Sequence, residues 1–367
     1  MVNEMNKNTY KPDYAIHPGE IIDQYLNAIG MKKIDFAERM ELSVKTVSQI
    51  INGKEYIAPE TALKLERVLG MPAYIWRNID SSYRIFIAKQ KDQEQYAIAQ
   101  KWVNEYPIKE LIRRKYLKQT KNINDLIEQL LAFFSVGSLD ILKNQIYNVS
   151  FRKSKAFESK TENVLSWLRI GHLEAQRMQT PLFNRDQFIS ILKEIRKLSV
   201  NESINDMLVN IQKRCYECGV VVLYIEEIHN TFVSGAAFWV NKDKPVIMLS
   251  SRYKKEDHFW FSFYHECSHI INDSKKELFV DYDGENKEKD ANSFASNILI
   301  PNKEYDDFIK RYKDEEINSI VVRTFANKLG ISPGIIVGRL QKDRVIRYNQ
   351  LTHLKRTIDF SIIHGDV

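Results

Sequence analysis

Residues 33–51 read KIDFAERMELSVKTVSQII, two short stretches with helical apolar spacing that are joined by a tight turn. The first stretch is Lys33 to Met40, the second is Val44 to Ile51, and Glu41-Leu42-Ser43 connects them. The small side chain of Ala37 lets two helices cross closely, and the Ser43 hydroxyl suits a helix N-cap. This spacing predicts a helix-turn-helix.

The outward positions of the second predicted helix carry polar side chains, namely Lys45, Thr46, Ser48 and Gln49. Glutamine pairs with adenine, lysine reaches guanine acceptors, and a threonine methyl contacts thymine. We expect Lys33 and Lys54 to lie at phosphates. Spacing alone leaves a second interpretation open, an ordinary helical bundle with a polar face.

Two short motifs and a tryptophan flank this segment: His17-Pro18-Gly19-Glu20, Asn52-Gly53-Lys54 and Trp76. Together with it, they make residues 17–76 resemble the HigA-like antitoxin branch of the Xre/Cro helix-turn-helix family. The resemblance implies a homodimeric repressor that binds palindromic operator DNA, and many such proteins also neutralise a toxin. It implies base contacts at these positions: Val44, Lys45, Thr46 and Gln49.

A second motif, HECSH, occupies residues 265–269. On a helix, His265 and His269 lie one turn apart on one face, so both imidazoles can bind one metal ion while Glu266 reaches a water molecule. The aromatic and aliphatic residues on either side predict a buried helix. The alternative is a purely structural pair of core histidines.

Catalytic zinc usually has three protein ligands, so one ligand remains to be found. Glu288 lies on a predicted helix whose face also carries Ala291, Asn292 and Ala295. The alanines allow close approach to the first helix, which makes Glu288 the expected third ligand and Asn292 a hydrogen-bond acceptor for a ligand imidazole. The alternative for Glu288 is a solvated carboxylate in an acidic loop.

The segments PVIMLSSRY, DHFWFSFYHECSHII and EKDANSFASNILIP give residues 205–340 a resemblance to the ImmA/IrrE metallopeptidase family. The resemblance implies a gluzincin-type Zn²⁺ site and peptide hydrolysis, with Glu266 as the general base. His258 and Tyr282 are candidate donors to the oxyanion. An extended substrate could pair with the predicted strand 234–240 or with 245–249.

A length of 367 residues predicts two to three domains at roughly 150 residues each. Hydrophobic residues at 44% and charged residues at 28% exclude a wholly disordered chain. The sequence has no apolar run of transmembrane length and no apolar signal segment, so we expect a cytoplasmic protein without a membrane partner. Three cysteines exclude a disulfide framework, and Cys215 and Cys218 are expected to be structural.

We therefore predict a multidomain chain with an all-α helix-turn-helix bundle (1–84), a helical connecting domain (85–203) and an α+β, gluzincin-like metallopeptidase domain (204–367). In the last domain, β-branched runs predict three strands: Val220–Ile225, Phe232–Val240 and Pro245–Leu249. Helical spacing there predicts two helices, Asp257–Asn272 and Lys287–Leu299.

The leading functional hypothesis is a DNA-binding regulator fused to a zinc endopeptidase. Its protein substrate would be a repressor, a toxin partner or the chain itself, and cleavage would control a stress, phage-defence or toxin–antitoxin operon. The alternative is a non-catalytic, antitoxin-type repressor whose peptidase-like domain binds a toxin or senses a ligand.

Overall fold

The computed structural model describes residues 14–138, 140–142, 160–200, 203–272, 279–280, 285–313 and 315–360. The chain divides into two compact units, Met1–Lys101 and Trp102–Val367. Each unit has its own hydrophobic core. A three-domain division with boundaries at residues 84 and 203 stays a prediction.

The first unit is helical. Its described helices are α1 (Pro18–Ala28), α2 (Lys33–Arg39), α3 (Val44–Ile51), α4 (Pro59–Leu69) and α5 (Ala73–Val103), the last of which continues across the division. The core of the unit contains Phe36, Ala37 and Val47, and Trp76 is completely buried within it. Leu42 in the turn packs against this core, so the helix-turn-helix packing predicted from the sequence is confirmed.

The second unit begins with helices and continues into an α+β region. The described helices before the sheet are α6 (Ile108–Arg113), α7 (Ile123–Phe134), α8 (Thr161–Arg177), α9 (Arg185–Lys197) and α10 (Ile204–Glu217). A 3₁₀ turn, Leu198–Val200, follows α9. Helix α8 packs on the sheet, where the indole Nε1 of Trp167 donates a hydrogen bond to the carbonyl oxygen of Ile225 (3.2 Å).

The sheet has four strands in the order β1-β3-β2-β4. These are β1 (Val221–Ile225), β2 (Gly235–Asn241), β3 (Lys244–Ser250) and β4 (Phe279–Val280). Strands β1 and β3 are parallel, whereas β2 pairs antiparallel with both β3 and β4. Strand β2 starts at Gly235, later than the predicted start at Phe232, and Phe232 has a left-handed backbone conformation (φ 54°) that does not fit a strand.

The remaining helices cover the sheet and each other. They are α11 (Glu256–Asn272), α12 (Glu285–Leu299), α13 (Asn302–Arg311), α14 (Ser319–Leu329) and α15 (Pro333–Lys342), followed by a 3₁₀ turn, Thr352–Leu354. Helix α11 is central: it packs on β2 and β3, on α12 and on α15. Among the described residues, no single helix is long and apolar enough to span a membrane, and α14 with α15 meets that test only as a pair bent by 113°.

Candidate functional site

Helix α11 carries the HECSH motif and is buried along most of its length. Its N-terminus is fixed by Glu256, which is completely buried and receives hydrogen bonds from the Ser332 hydroxyl (2.8 Å) and from Nε of Arg356 (2.7 Å). Trp260, Phe263 and the other apolar side chains of α11 belong to the main core. The motif therefore lies on a rigid element, as a metal site requires.

The two histidines converge as the spacing predicts. Their Nε2 atoms lie 3.1 Å apart and their ring centroids 4.9 Å apart, and the side chains are 3% and 2% exposed for His265 and His269. In a tetrahedral zinc site with Zn–N bonds of roughly 2.0–2.1 Å, two ligand nitrogens lie about 3.3 Å apart. The pair therefore fits two adjacent ligand positions of one zinc ion.

Glu266 points toward the start of β2, where it packs against Gly235. A Cβ atom at position 235 would lie 2.7 Å from Oε1 of Glu266 and 2.9 Å from its Cγ. A larger residue at position 235 would have to displace this carboxylate. Sequence reasoning missed Gly235, although a glycine in an apolar strand is a known sign of a close approach.

The third predicted ligand, Glu288, lies on α12, but its side chain is outside the described residues. Helix α12 packs on α11, and its Ala291 and Ala295 are buried, in agreement with the close approach that the small side chains predict. Asn292 is half-buried on the same helix. Across the described ranges, no three histidine, cysteine or carboxylate side chains come together as a metal site. Glu288 as a ligand, and Asn292 beside it, stay predictions.

His258 and Tyr282 are the two candidate donors to the oxyanion. His258 stacks on Tyr253 with ring centroids 4.4 Å apart, and burial lowers the pKa of its imidazole. Tyr282 lies outside the described residues.

The prediction that strand 245–249 pairs with a substrate is wrong, because β3 lies between β1 and β2. Strand β2 is already paired with β4 at Ala236 and Ala237.

Helix α3, the second helix of the helix-turn-helix, starts as predicted, because the Ser43 hydroxyl accepts a hydrogen bond from the backbone N–H of Thr46 (3.0 Å). The Thr46 hydroxyl also bonds to the Ser43 hydroxyl (2.8 Å). Val44 and Lys45 are exposed, whereas Thr46 and Gln49 are both half-buried. Val47 packs into the core of the first unit, so it does not contribute to the outward face of α3.

The two phosphate-contact candidates are lysines at the surface. Lys33 forms an ion pair with Asp23 (3.0 Å), and Lys54 follows the turn after α3. In that turn, the backbone N–H of Lys54 donates to the carbonyl oxygen of Gln49 (2.8 Å), and Gly53 has a left-handed backbone (φ 71°). The turn therefore holds Lys54 close to the end of α3.

His17 has a structural role that the sequence did not predict. Its Nδ1 caps α1 by accepting a hydrogen bond from the backbone N–H of Gly19 (2.9 Å). Its ring lies edge-on to Tyr83 (4.6 Å between centroids) and close to Gly53. Burial lowers the pKa of this imidazole, although Glu20 and Asp80 oppose the shift. The neutral ring thus connects α1 to the turn after α3.

Residues 22–76 match the family described as "Helix-turn-helix". The chain is 34% identical over 80 residues to virulence-associated protein I of Dichelobacter nodosus, a match that covers 22% of this chain and 74% of that protein. It is 32% identical over 73 residues to the Escherichia coli K12 protein named uncharacterized HTH-type transcriptional regulator YddM, covering 20% and 78% of the two chains. The chain belongs to this helix-turn-helix family.

Residues 217–341 match the family described as "IrrE N-terminal-like domain", so this helix-turn-helix protein carries a second domain from a peptidase family. The match includes α11 and α12. A solved structure of an addiction module antidote protein of a HigA family, from Coxiella burnetii, is 30% identical and has a TM-score of 0.21, with coverage of 22% of this chain and 90% of that chain.

The cysteines of this helix-turn-helix protein contribute to packing. Cys215, Cys218 and Cys267 are buried in the main core, and burial raises the pKa of each thiol. Thiolates are the form that binds metal or attacks electrophiles, so these residues are inert under ordinary conditions. The structural role expected for Cys215 and Cys218 agrees with this burial.

Proposed function

We propose that this helix-turn-helix regulator is a homodimer on operator DNA and that its C-terminal domain is a zinc-dependent endopeptidase. The observation that most directly supports the zinc site in this proposal is the 3.1 Å separation of the His265 and His269 Nε2 atoms on a buried helix. The match to a peptidase family supports the same proposal.

In this proposal, His265, His269 and Glu288 hold the ion. The chemistry that a bound zinc ion supplies is Lewis-acid activation of water and polarisation of the scissile carbonyl. Glu266 takes the proton of the attacking water on its carboxylate and delivers it to the leaving amine. Gly235 keeps that carboxylate in place, and the buried surroundings strengthen the electrostatic interactions within the site.

The DNA-binding part of the proposal rests on α3. Lys45 and Gln49 read base edges, Val44 and Thr46 contact neighbouring bases, and Lys33 and Lys54 lie at phosphates. Cleavage of a repressor, a toxin partner or the chain itself would then couple proteolysis to transcription.

The first test is metal analysis of the purified full chain. We expect about one zinc ion per chain in the wild type, almost none in His269→Ala, and an unchanged amount in His353→Ala, which removes an exposed histidine elsewhere. A folded, DNA-binding wild type that takes up no zinc would favour the alternative, a non-catalytic repressor whose peptidase-like domain binds a toxin or senses a ligand.

The second test uses Glu266→Gln. The variant should retain zinc and DNA binding but lose cleavage of its own chain and of proteins encoded in the same operon. Unchanged cleavage would refute the role of Glu266 even if the zinc site were correct.

A further inference from the structure

A cavity of about 250 Å³ lies beside the N-terminal half of α11 in the second unit. Its walls are mostly apolar and come from α11, the end of α12, and α15: Phe261, Leu299, Ile300 and Ile335. Tyr348 and Lys355, from the segment after α15, close one side. The Phe261 ring also lies 6.2 Å from the His265 ring, so the cavity is one helical turn from the histidine pair.

The volume of the cavity limits the size of its ligand. An apolar cavity of about 150 Å³ binds benzene. A cavity of this larger volume has room for a benzene ring and a short substituent, but it is smaller than the roughly 300–1,000 Å³ of pockets for drug-sized molecules. The part of a ligand that enters the cavity is therefore small.

Most of the charges around the cavity are neutralised by the protein itself. Asp257 and Lys355 form a buried ion pair with 2.7 Å between Oδ2 and Nζ. Arg339 pairs with Asp343 at 2.6 Å. Burial lowers the pKa of His258, which leaves its imidazole neutral at pH 7.5. These groups together contribute no net charge.

Lys342 is different. It lines the cavity, and its Nζ lies 4.2 Å from the centroid of the Phe261 ring. Within the described chain it forms no ion pair with a carboxylate. Lys342 is an exposed residue, but partial desolvation beside the cavity and the nearby Arg339 lower the pKa of its ammonium group, against a smaller opposite effect of Asp343. A negative charge placed here would stabilise the ammonium form.

We propose that this cavity binds a small apolar monoanion, with the apolar body between Phe261 and Ile335 and a carboxylate on Lys342. The apolar walls supply affinity and the unpaired cation selects the charge. The ligand would contact α11, the helix that also carries the histidine pair. This binding requires neither zinc nor proteolysis.

The test compares two probes that share an apolar body but differ in charge, 3-phenylpropionate and 3-phenylpropylamine. Isothermal titration calorimetry on the full-length protein at low salt and pH 7.5 gives both affinities. We expect the carboxylate to bind at least about ten-fold more tightly than the amine, the ratio typical of one charge-assisted hydrogen bond. Equal affinities, or no binding of either probe, would overturn the proposal.

Two variants assign the binding to this cavity. Lys342→Glu should reverse the preference in favour of the amine, whereas Lys310→Glu, on α13 outside the cavity, should leave it unchanged. Ser296→Phe should weaken the binding of both probes, because the larger side chain fills the part of the cavity between α12 and α11. Carboxylate binding that survives both Lys342→Glu and Ser296→Phe would place the site elsewhere and refute the proposal.

A free small acid and the C-terminus of a peptide ending in an apolar residue present the same chemistry. The tripeptide Ala-Ala-Phe with a free carboxylate distinguishes them. Binding at least as tight as that of 3-phenylpropionate would identify a peptide C-terminus as the ligand, and exclusion of the tripeptide would identify a free small acid. Either result supports the proposed site only if Lys342→Glu weakens the binding.

Discussion

The carboxylate of Glu266 packs directly against the backbone of Gly235, at the first residue of β2. This packing joins the HECSH helix to the sheet at the one motif residue that is proposed to move a proton. It makes position 235 a test of Glu266 that does not alter any proposed metal ligand.

Gly235→Ala should therefore uncouple catalysis from metal binding. The added Cβ would lie 2.7 Å from Oε1 of Glu266 and must displace it. We expect peptide cleavage to fall on the order of 10²-fold, the lower range for loss of a general base, while zinc content stays at the wild-type level. Gly137→Ala is the matched control, since a Cβ there meets no atom within 4 Å. Equal activity of the two variants would show that Gly235 does not position Glu266.

The sequence predicted the parts of the structure that depend on local spacing. Helical periodicity located α3 and α11, and the i, i+4 spacing brought His265 and His269 together. It did not predict that β3 is a central strand, because strand order depends on pairing between distant segments. The role of Gly235 was missed for the same reason, since Glu266 is far from it in the chain.

Helix α3 provides a test of specificity. Lys45→Ala combined with Gln49→Ala should weaken binding to the selected operator by about 1–3 kcal/mol for each base-edge interaction that is removed, and should weaken binding to random DNA much less. Lys54→Ala should weaken binding to the operator and to random DNA equally. It should also reduce the slope of log affinity against log salt concentration by about one. Fluorescence anisotropy at several salt concentrations, on a site selected from a random pool, measures both effects. An equal decrease on random DNA in the double variant would mean that Lys45 and Gln49 touch only the DNA backbone.

The cap at His17 predicts a dependence of local stability on pH. Its Nδ1 must be unprotonated to accept the Gly19 hydrogen bond, and burial lowers the pKa of the ring below 6.5. The folded state therefore binds fewer protons than the unfolded state, so this contribution is complete above pH 6.5 and is lost as the pH falls through the folded-state pKa. The decline cannot exceed about 1.4 kcal/mol per pH unit, the value for one proton.

His17→Asn tests this prediction, because asparagine is also a good N-cap but does not titrate. Hydrogen exchange of α1 in the full chain at pH 7.5 and pH 5.5, corrected for intrinsic rates, gives the local stability. Relative to the variant, wild-type α1 should lose protection at the lower pH. An identical change in both proteins would attribute the effect to other groups.

The ion pair at the start of α11 predicts a large decrease in stability on mutation. Glu256 is completely buried, and Arg356 provides both a side-chain and a backbone hydrogen bond to it. Arg356→Met would leave a buried carboxylate without its counter-ion, which typically costs 3–5 kcal/mol, so we expect the free energy of unfolding of the second unit to fall by about 3 kcal/mol. Urea denaturation measures this, with Arg347→Met, at a position outside this ion pair, as the control. Adding Glu256→Gln to Arg356→Met should restore part of the stability because it removes the buried charge. If the double variant were less stable than Arg356→Met, poorer packing rather than the unpaired charge would be the cause.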